Sequence, residues 1–303
     1  MRILISGATG LVGTALTNEL RSQGHTLGRL VRMRGTAPAG DVAWDPNLAT
    51  VDLAAMEGVD AVVNLNGASI AGGRWTEARK ALLRSSRIGA TRVLVDALAN
   101  LKRKPRVLIS ASATGYYGDC GDTVLTESVG HGMDFLGLLA RTWESEAMRA
   151  ELTGIRVVIV RFGLIFAATG GALQQMVRPI RLGVGGRLGS GKQWMPWVTL
   201  EDATCVIRAA IADETWRGPF NVVAPELVRN EEFTRVAARV LNRPAIFPVP
   251  ALALRVLLGE LAKALLASQR AKPEKLSAAG FEFRHPALEP ALRELLGRPA
   301  SLS

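Results

Sequence analysis

No part of this chain constrains its fold more than Gly7-Ala8-Thr9-Gly10-Leu11-Val12-Gly13. The motif follows directly on Arg2-Ile3-Leu4-Ile5-Ser6, an apolar run that reads as a buried strand. It leads into a stretch with Leu11, Leu16 and Leu20 on one helical face. A strand, a glycine turn and a helix in that order let the backbone approach a pyrophosphate, which then sits on N–H groups at the positive end of the helix. Gly7, Thr9, Gly10, Leu11, Val12 and Gly13 are therefore the candidate phosphate-binding residues. The spacing alone is a weak signal, and a glycine-rich turn without a ligand is the bland alternative; the N-terminal strand-turn-helix context gives it weight.

Downstream, short β-branched runs alternate with helical patterns. Strands are expected near 26–31, 61–65, 106–110 and 155–161, and helices over 76–98 and 135–152. Strands joined by crossover helices pair in parallel, so the reading is α/β, a doubly wound parallel sheet of Rossmann type. Residues 1–165 form the expected dinucleotide-binding domain, and 166–303 a smaller α+β cap on the substrate side, interleaved without a flexible linker. That second part holds a glycine-rich stretch at 170–191, Trp194-Met195-Pro196-Trp197, the run Phe220-Asn221-Val222-Val223 and a helix at 230–241. The apolar helix expected over 251–267 is interrupted by Arg255, Glu260 and Lys263, which suits a buried or partner-facing helix better than a membrane segment.

Composition closes off several classes. With 303 residues and 48% hydrophobic content, a core is available and disorder is excluded as the main state. Two cysteines, Cys120 and Cys205, and three scattered histidines, His25, His131 and His285, offer neither a disulfide scaffold nor a metal site, so no metal is expected. The formal charge of +10 is spread out: its densest runs are Arg32-Met33-Arg34 and Lys102-Arg103-Lys104, and aromatic residues are only 5%. That reads as a solvated basic surface, with an anionic ligand accounting for part of it, and not as a nucleic-acid interface. No signal-peptide pattern or long uncharged apolar run is present, so a soluble, cytoplasmic protein with a small-molecule substrate is expected, and a homodimer stays open.

Cofactor choice turns on the end of the second strand. Enzymes that prefer NAD place an acid there, on the ribose 2′-hydroxyl. Here Arg32 stands 19 residues after Gly13, and from that place on no acid occurs until Asp41. Arg32 and Arg34 suit a 2′-phosphate through charge-assisted hydrogen bonds, so NADP(H) is expected; two ordinary surface arginines are the alternative.

Together these residues resemble the extended (atypical) short-chain dehydrogenase/reductase superfamily, in its nucleotide-sugar-epimerase-like group, over nearly the whole chain. Ser110-Ala111-Ser112-Ala113-Thr114-Gly115-Tyr116-Tyr117-Gly118 resembles the Ser-Ser-x-x-x-Tyr-Gly strand end, with Ser112 in the catalytic serine's place. Arg161-Phe162-Gly163 resembles the later Arg-Pro-x strand end, with Phe162 where proline is common, and residues 189–202 resemble the substrate-side loop and helix start. Residues 68–75, 221–225, 248–250 and 279–281 resemble one subgroup, the epimerase-like proteins with a C-terminal extension. Membership implies NADP(H) binding, with Asn66, Gly67 and Ala68 bordering the cofactor.

One departure is plain by counting. The superfamily's Tyr-x-x-x-Lys pair, in which the lysine lowers the phenol's pKa and holds the nicotinamide ribose, is absent. The chain has two tyrosines, Tyr116 and Tyr117, followed four residues on by Cys120 and Gly121. Where the pair would fall, the chain reads Asp134-Phe135-Leu136-Gly137-Leu138-Leu139-Ala140. The candidates left for catalysis are Ser112, as a hydrogen-bond donor to a carbonyl or alkoxide, and Tyr116 (or Tyr117), as a phenol near Arg74, Arg161 or Lys192. Packing is the competing role for both tyrosines, an ion pair or helix cap is favoured for Glu144, and Cys120 and His131 read as incidental. Arg74, Trp75, Arg161, Trp194 and Trp197 are the candidate substrate-side residues, with core packing open for the tryptophans. The expected activity is that of an NADP(H)-dependent oxidoreductase or epimerase acting on a carbonyl or secondary alcohol, sugar-like small molecules included. A non-catalytic NADP(H)-binding sensor is the alternative, and the balance favours an enzyme.

Overall fold

A computed structural model describes residues 1–33 and 35–297. The chain opens with β1 (Arg2–Ser6), α1 (Leu11–Ser22), β2 (Thr26–Arg32), β3 (Val42–Asp45), β4 (Thr50–Val51) and the single turn α2 (Leu53–Met56). There follow β5 (Ala61–Asn64), α3 (Glu77–Arg84), α4 (Ala90–Ala99), β6 (Val107–Ala113), β7 (Val124–Leu125), α5 (Phe135–Met148), β8 (Arg156–Phe162) and β9 (Leu164–Phe166). Next come α6 (Gly171–Arg181), β10 (Trp194–Met195), β11 (Trp197–Thr199), α7 (Leu200–Ala212), β12 (Gly218–Val222), β13 (Val228–Arg229) and α8 (Asn230–Leu241). The last elements are α9 (Ala251–Leu258), α10 (Leu261–Leu266), β14 (Arg270–Ala271), α11 (Glu274–Ala278) and α12 (Leu288–Gly297).

Eight strands form one sheet in the order β12-β8-β6-β5-β1-β2-β3-β4, parallel except for the β3–β4 edge. This is a doubly wound sheet. Its central strands read as unbroken apolar runs because both faces are covered. On one face Ile3, Ile5, Val63, Ile109 and Val158 pack against Leu16 and Leu20 of α1 and Val206 and Ile207 of α7. On the other, Leu4, Val62, Leu108 and Val157 pack against Leu94 and Leu98 of α4 and Ala147 of α5. The chain builds outward from β1 to β2 and β3, then returns to β5 on β1's other flank. That reversal opens a crevice at the C-terminal strand ends, where ligands of doubly wound sheets bind.

Several boundaries differ from the sequence reading for local reasons. The strand β3 is buried but offers only four residues to a periodicity argument. The helix expected over 76–98 contains a π-turn at Ser85–Gly89. The one expected over 251–267 breaks at Gly259, whose φ of 60° ends α9. The division expected at residue 165 runs through the large sheet, since α7 and β12 of the second segment cover and extend it. A separate cluster of Phe166, Leu173, Trp197, Phe233 and Leu292 joins α6, α8 and α12. No helix among the described residues is long and apolar enough to cross a membrane.

Candidate active site and dinucleotide cradle

The turn after β1 is built from backbone. Gly7 has φ 69°, and a Cβ there would lie 2.6 Å from the Leu65 carbonyl oxygen. A Cβ on Gly13 would collide with the Gly7 carbonyl oxygen, so only glycine lets α1 start this close to β1. At the helix start Gly10 is the N-cap, no side chain caps it, and no acid occupies the first turn. The Gly10 N–H bonds the Gly7 carbonyl, and the N–H groups of Leu11, Val12 and Gly13, without a partner among the described residues, can meet an anion, in contrast to α7, which Thr199 caps and Glu201 and Asp202 neutralise. Thr9 and Gly10 are exposed, and Leu11 and Val12 half-buried beside them. Glycine backbone, uncapped N-terminus and crevice together fit a dinucleotide pyrophosphate.

Arg32 is the exposed last residue of β2 and forms no ion pair among the described residues. Asp41, the first acid after it, is bound to Arg29 at 2.5 Å. Its carboxyl is held below the usual range, the Arg29 contacts outweighing a burial that pushes the other way. Asp41 is thereby engaged on β2 rather than free at the strand end. Arg34 lies outside the described residues.

Along the same edge, polar side chains form a buried chain. Ser112, near the end of β6, donates to Glu144 Oε1 at 2.6 Å. Arg161, on β8, grips both oxygens of Glu144 at 2.8 Å and reaches the Tyr117 hydroxyl at 2.9 Å. The Tyr117 hydroxyl donates to Asn221 Oδ1 at 2.7 Å. Burial drives the Tyr117 phenol up to about 12 despite the opposing pull of Arg161. Burial would lower the Arg161 guanidinium, but Glu144 outweighs it and holds the group above its ordinary value. Tyr116 differs: its hydroxyl makes no hydrogen bond among the described residues, and its ring carries the Arg161 guanidinium 3.6 Å from the centroid.

Nearby, Asn66 donates to Asn64 Oδ1 at 3.1 Å, and the Ala68 N–H donates to Ser86 Oγ at 3.1 Å. Trp75 is half-buried, donates to the Ile70 carbonyl and meets Phe135 edge-on at 5.2 Å. Phe135 itself opens α5 where the sequence lacks the tyrosine of the usual pair. Arg74 is exposed and lies against Gly259. Trp197 is a core residue stacked on Phe166 at 5.6 Å, whereas Trp194 packs under Arg229 and Arg270 and donates to Asp122. Burial raises the Cys120 thiol, with Asp119 and Asp134 adding to it, so it is no activated nucleophile. A cavity of about 400 Å³ lined by Arg187, Glu231, Thr234 and Ile246 shares no residue with this group.

Two features escaped the sequence reading. Asn221, a buried strand residue, accepts from Tyr117 and donates to the carbonyls of Leu125 and Lys272, a long-range role with no local signature. Arg87 lies on the buried stripe of Leu83, Thr91 and Leu94, where a cation is out of pattern; that mismatch was the available signal.

The model of the NAD dependent epimerase/dehydratase family matches residues 3–223, and a domain of unknown function (DUF1731) matches 249–295. The chain is 42% identical over 298 residues to Epimerase family protein Mb2239 of Mycobacterium bovis, covering 98% of each. It is 39% identical to Epimerase family protein YfhF of Bacillus subtilis, again covering 98% of both chains. Among solved structures it is similar to the human epimerase family protein SDR39U1 (isoform 2) with NADPH. The TM-score is 0.90 at 32% identity, covering 99% of this chain and all of that one.

Proposed function

The chain belongs to the NAD dependent epimerase/dehydratase family, and from that premise we propose that it binds NADP(H) across the C-terminal edge of β1 and acts on a carbonyl or secondary alcohol of a small, sugar-like molecule. The observation that carries this reading is the uncapped start of α1 behind Gly7 and Gly13, with an unpaired Arg32 closing β2. Gly10, Leu11 and Val12 would hold the pyrophosphate, Arg32 the 2′-phosphate, and Asn66 would border the nicotinamide half. The preference for NADP(H) is further supported by the relative solved with NADPH.

A bound nicotinamide supplies or accepts the hydride. The chain's own task is to hold the substrate oxygen and to move its proton. Tyr116 is the phenol left for that proton, since Tyr117 is locked by Asn221 and raised to about 12. Stacked on the Tyr116 ring, the Arg161 guanidinium holds that side chain at the strand edge with its hydroxyl free of hydrogen bonds among the described residues. Ser112 sits on the same edge to hydrogen-bond the substrate oxygen, and the Glu144 carboxylate that accepts its hydrogen bond in this structure orients it.

A non-catalytic sensor is the second reading, favoured by one observation: the Ser112 hydroxyl already donates to Glu144, so donation to a substrate requires that bond to break.

Titration with NADPH and NADH, in the wild type and in Arg32→Asp, tests the cofactor reading. Arg32→Asp is expected to weaken NADPH about tenfold or more while leaving NADH nearly unchanged, the scale of a lost charge-assisted contact. Equal losses for both would remove Arg32 from the 2′-phosphate role, and no binding of either would overturn the reading of the cradle. Oxidation of bound NADPH by members of a carbonyl panel would favour the enzyme, and its absence throughout would favour the sensor.

A further inference from the structure

Above β5 the segment linking α3 to α4 widens into the π-turn Ser85–Gly89, and this turn carries Arg87. Single π-turns inside helices recur where a side chain must be re-aimed. The Arg87 guanidinium rests over the Trp143 ring, 5.3 Å from its centroid. It also rests against Gly67, where a Cβ would come within 3.0 Å of Cζ and Nη2, so the loop after Asn66 is moulded to the guanidinium. The Nη1 atom is buried without a partner, and Arg87 has no ion pair among the described residues. Arg79 stands near it in the same state. Its Nη2 donates to the Ser69 carbonyl, its Nε is buried and unpartnered, and Gly72 gives it the room that a side chain would fill. Burial, then the neighbouring Arg79, lowers the Arg87 guanidinium to about 10, and no carboxylate offsets either cause.

Two guanidiniums with orphaned N–H groups and no facing acid are expensive to hold at a sheet edge unless an anion completes them. We propose that Arg87, backed by Arg79, is an anion seat that takes the oxygens of a phosphate or carboxylate group on a ligand bound at the C-terminal end of β5. The planar guanidinium over Trp143 presents a fork suited to two such oxygens at once. Its place beside Asn66 and Gly67 gives two sources for that group: the dinucleotide's own phosphates, or an anionic group on the substrate. The seat deepens the proposed function by giving the substrate side or the cofactor a second charged contact, besides Arg32, and it rests on the sheet edge being the ligand site.

The test uses the whole protein without dinucleotide, with inorganic phosphate as the probe. Thermal melts are recorded against phosphate at constant ionic strength for the wild type, Arg87→Gln and Gly67→Ala. Arg87→Gln is expected to need about tenfold more phosphate for the same stabilisation, the factor carried by one charge-assisted pair. Gly67→Ala, whose new methyl crowds the guanidinium without touching the cradle at α1, is expected to shift the response in the same direction by a few fold. Should Arg87→Gln fail to fold, Gly67→Ala decides alone. Phosphate responses identical to wild type in the folded variants would overturn the seat. NADPH titration with and without phosphate then separates the sources. Competition that Arg87→Gln relieves assigns the seat to the dinucleotide, and phosphate binding independent of NADPH assigns it to the substrate. Absence of NADPH binding would sink the cofactor reading while leaving the phosphate difference to stand or fall by itself.

Discussion

Two adjacent tyrosines in this chain are placed in different surroundings. Tyr117 is buried, donates to Asn221 and is driven up to about 12, while the Tyr116 hydroxyl has no hydrogen bond among the described residues and its ring lies on Arg161. Because the folded Tyr117 pKa lies above the unfolded value of 10.0, its contribution to stability is complete below about pH 10 and is lost as pH rises from about 10 to 12. Denaturant melts across that range should therefore show a decline that Tyr117→Phe flattens; a parallel decline in the variant would remove Tyr117 as its source. If turnover is found, Tyr116→Phe should lower kcat about a hundredfold or more, the usual share of a proton donor or acceptor, and an unchanged rate would end its assignment. Glu144→Gln leaves Arg161 buried with its counter-charge removed, and should cost about 3 kcal/mol in a urea melt. The strand-end positions of Ser112 and Arg161, and of Tyr116 just beyond β6, were legible from the motifs. That Glu144 binds both Ser112 and Arg161 was not, because such pairing depends on where α5 crosses the sheet, and no spacing in the chain encodes it.

At the scale of elements, legibility followed the length of the apolar run. The strands β1, β5 and β8, covered on both faces, have apolar runs that sequence reading places within a residue, while β6 runs on to Ala113, three residues past its expected end. By contrast β3, though its Val42, Ala43 and Trp44 are buried, offers only four residues, three of which pair with β2. Glycines mark the other departures, since a residue at positive φ ends a helix that apolar periodicity alone would continue through Gly259. The α1 start rests on the same kind of constraint. Gly13→Ala sets a methyl into the Gly7 carbonyl, so α1 must shift away from β1 or the turn must open. Dinucleotide affinity should fall more than tenfold with a stability loss of about 1–3 kcal/mol, the range for forced overpacking. Fluorescence titration alongside thermal melting checks both, and an alanine variant that binds NADPH like the wild type would show that the close approach is not what builds the cradle.

Over the whole molecule, the C-terminal segment is tied into the sheet layers by buried polar contacts rather than hung on a linker. Asp202, fully buried at the start of α7, accepts the backbone N–H of Arg284 at 2.7 Å and of His285 at 3.1 Å, and the Thr199 hydroxyl at 2.8 Å. His285 in turn reaches Glu294 on α12 at 3.1 Å. Asn221 does the same for the segment around Lys272, joining it to β12 and Leu125. Such a chain should unfold as one unit, even though its second part has its own apolar cluster around Trp197 and Phe233. Asp202→Ala removes the acceptor for the buried His285 N–H and the part-buried Arg284 N–H, the buried one costing about 1–3 kcal/mol when left unpaired. Hydrogen exchange is the direct measurement. If the segments are coupled, the variant loses protection first at 281–296 and then, by lowered global stability, in the central strands. Loss confined to 281–296 would instead mean that the sheet stands alone and that the C-terminal part docks on it as an independent module.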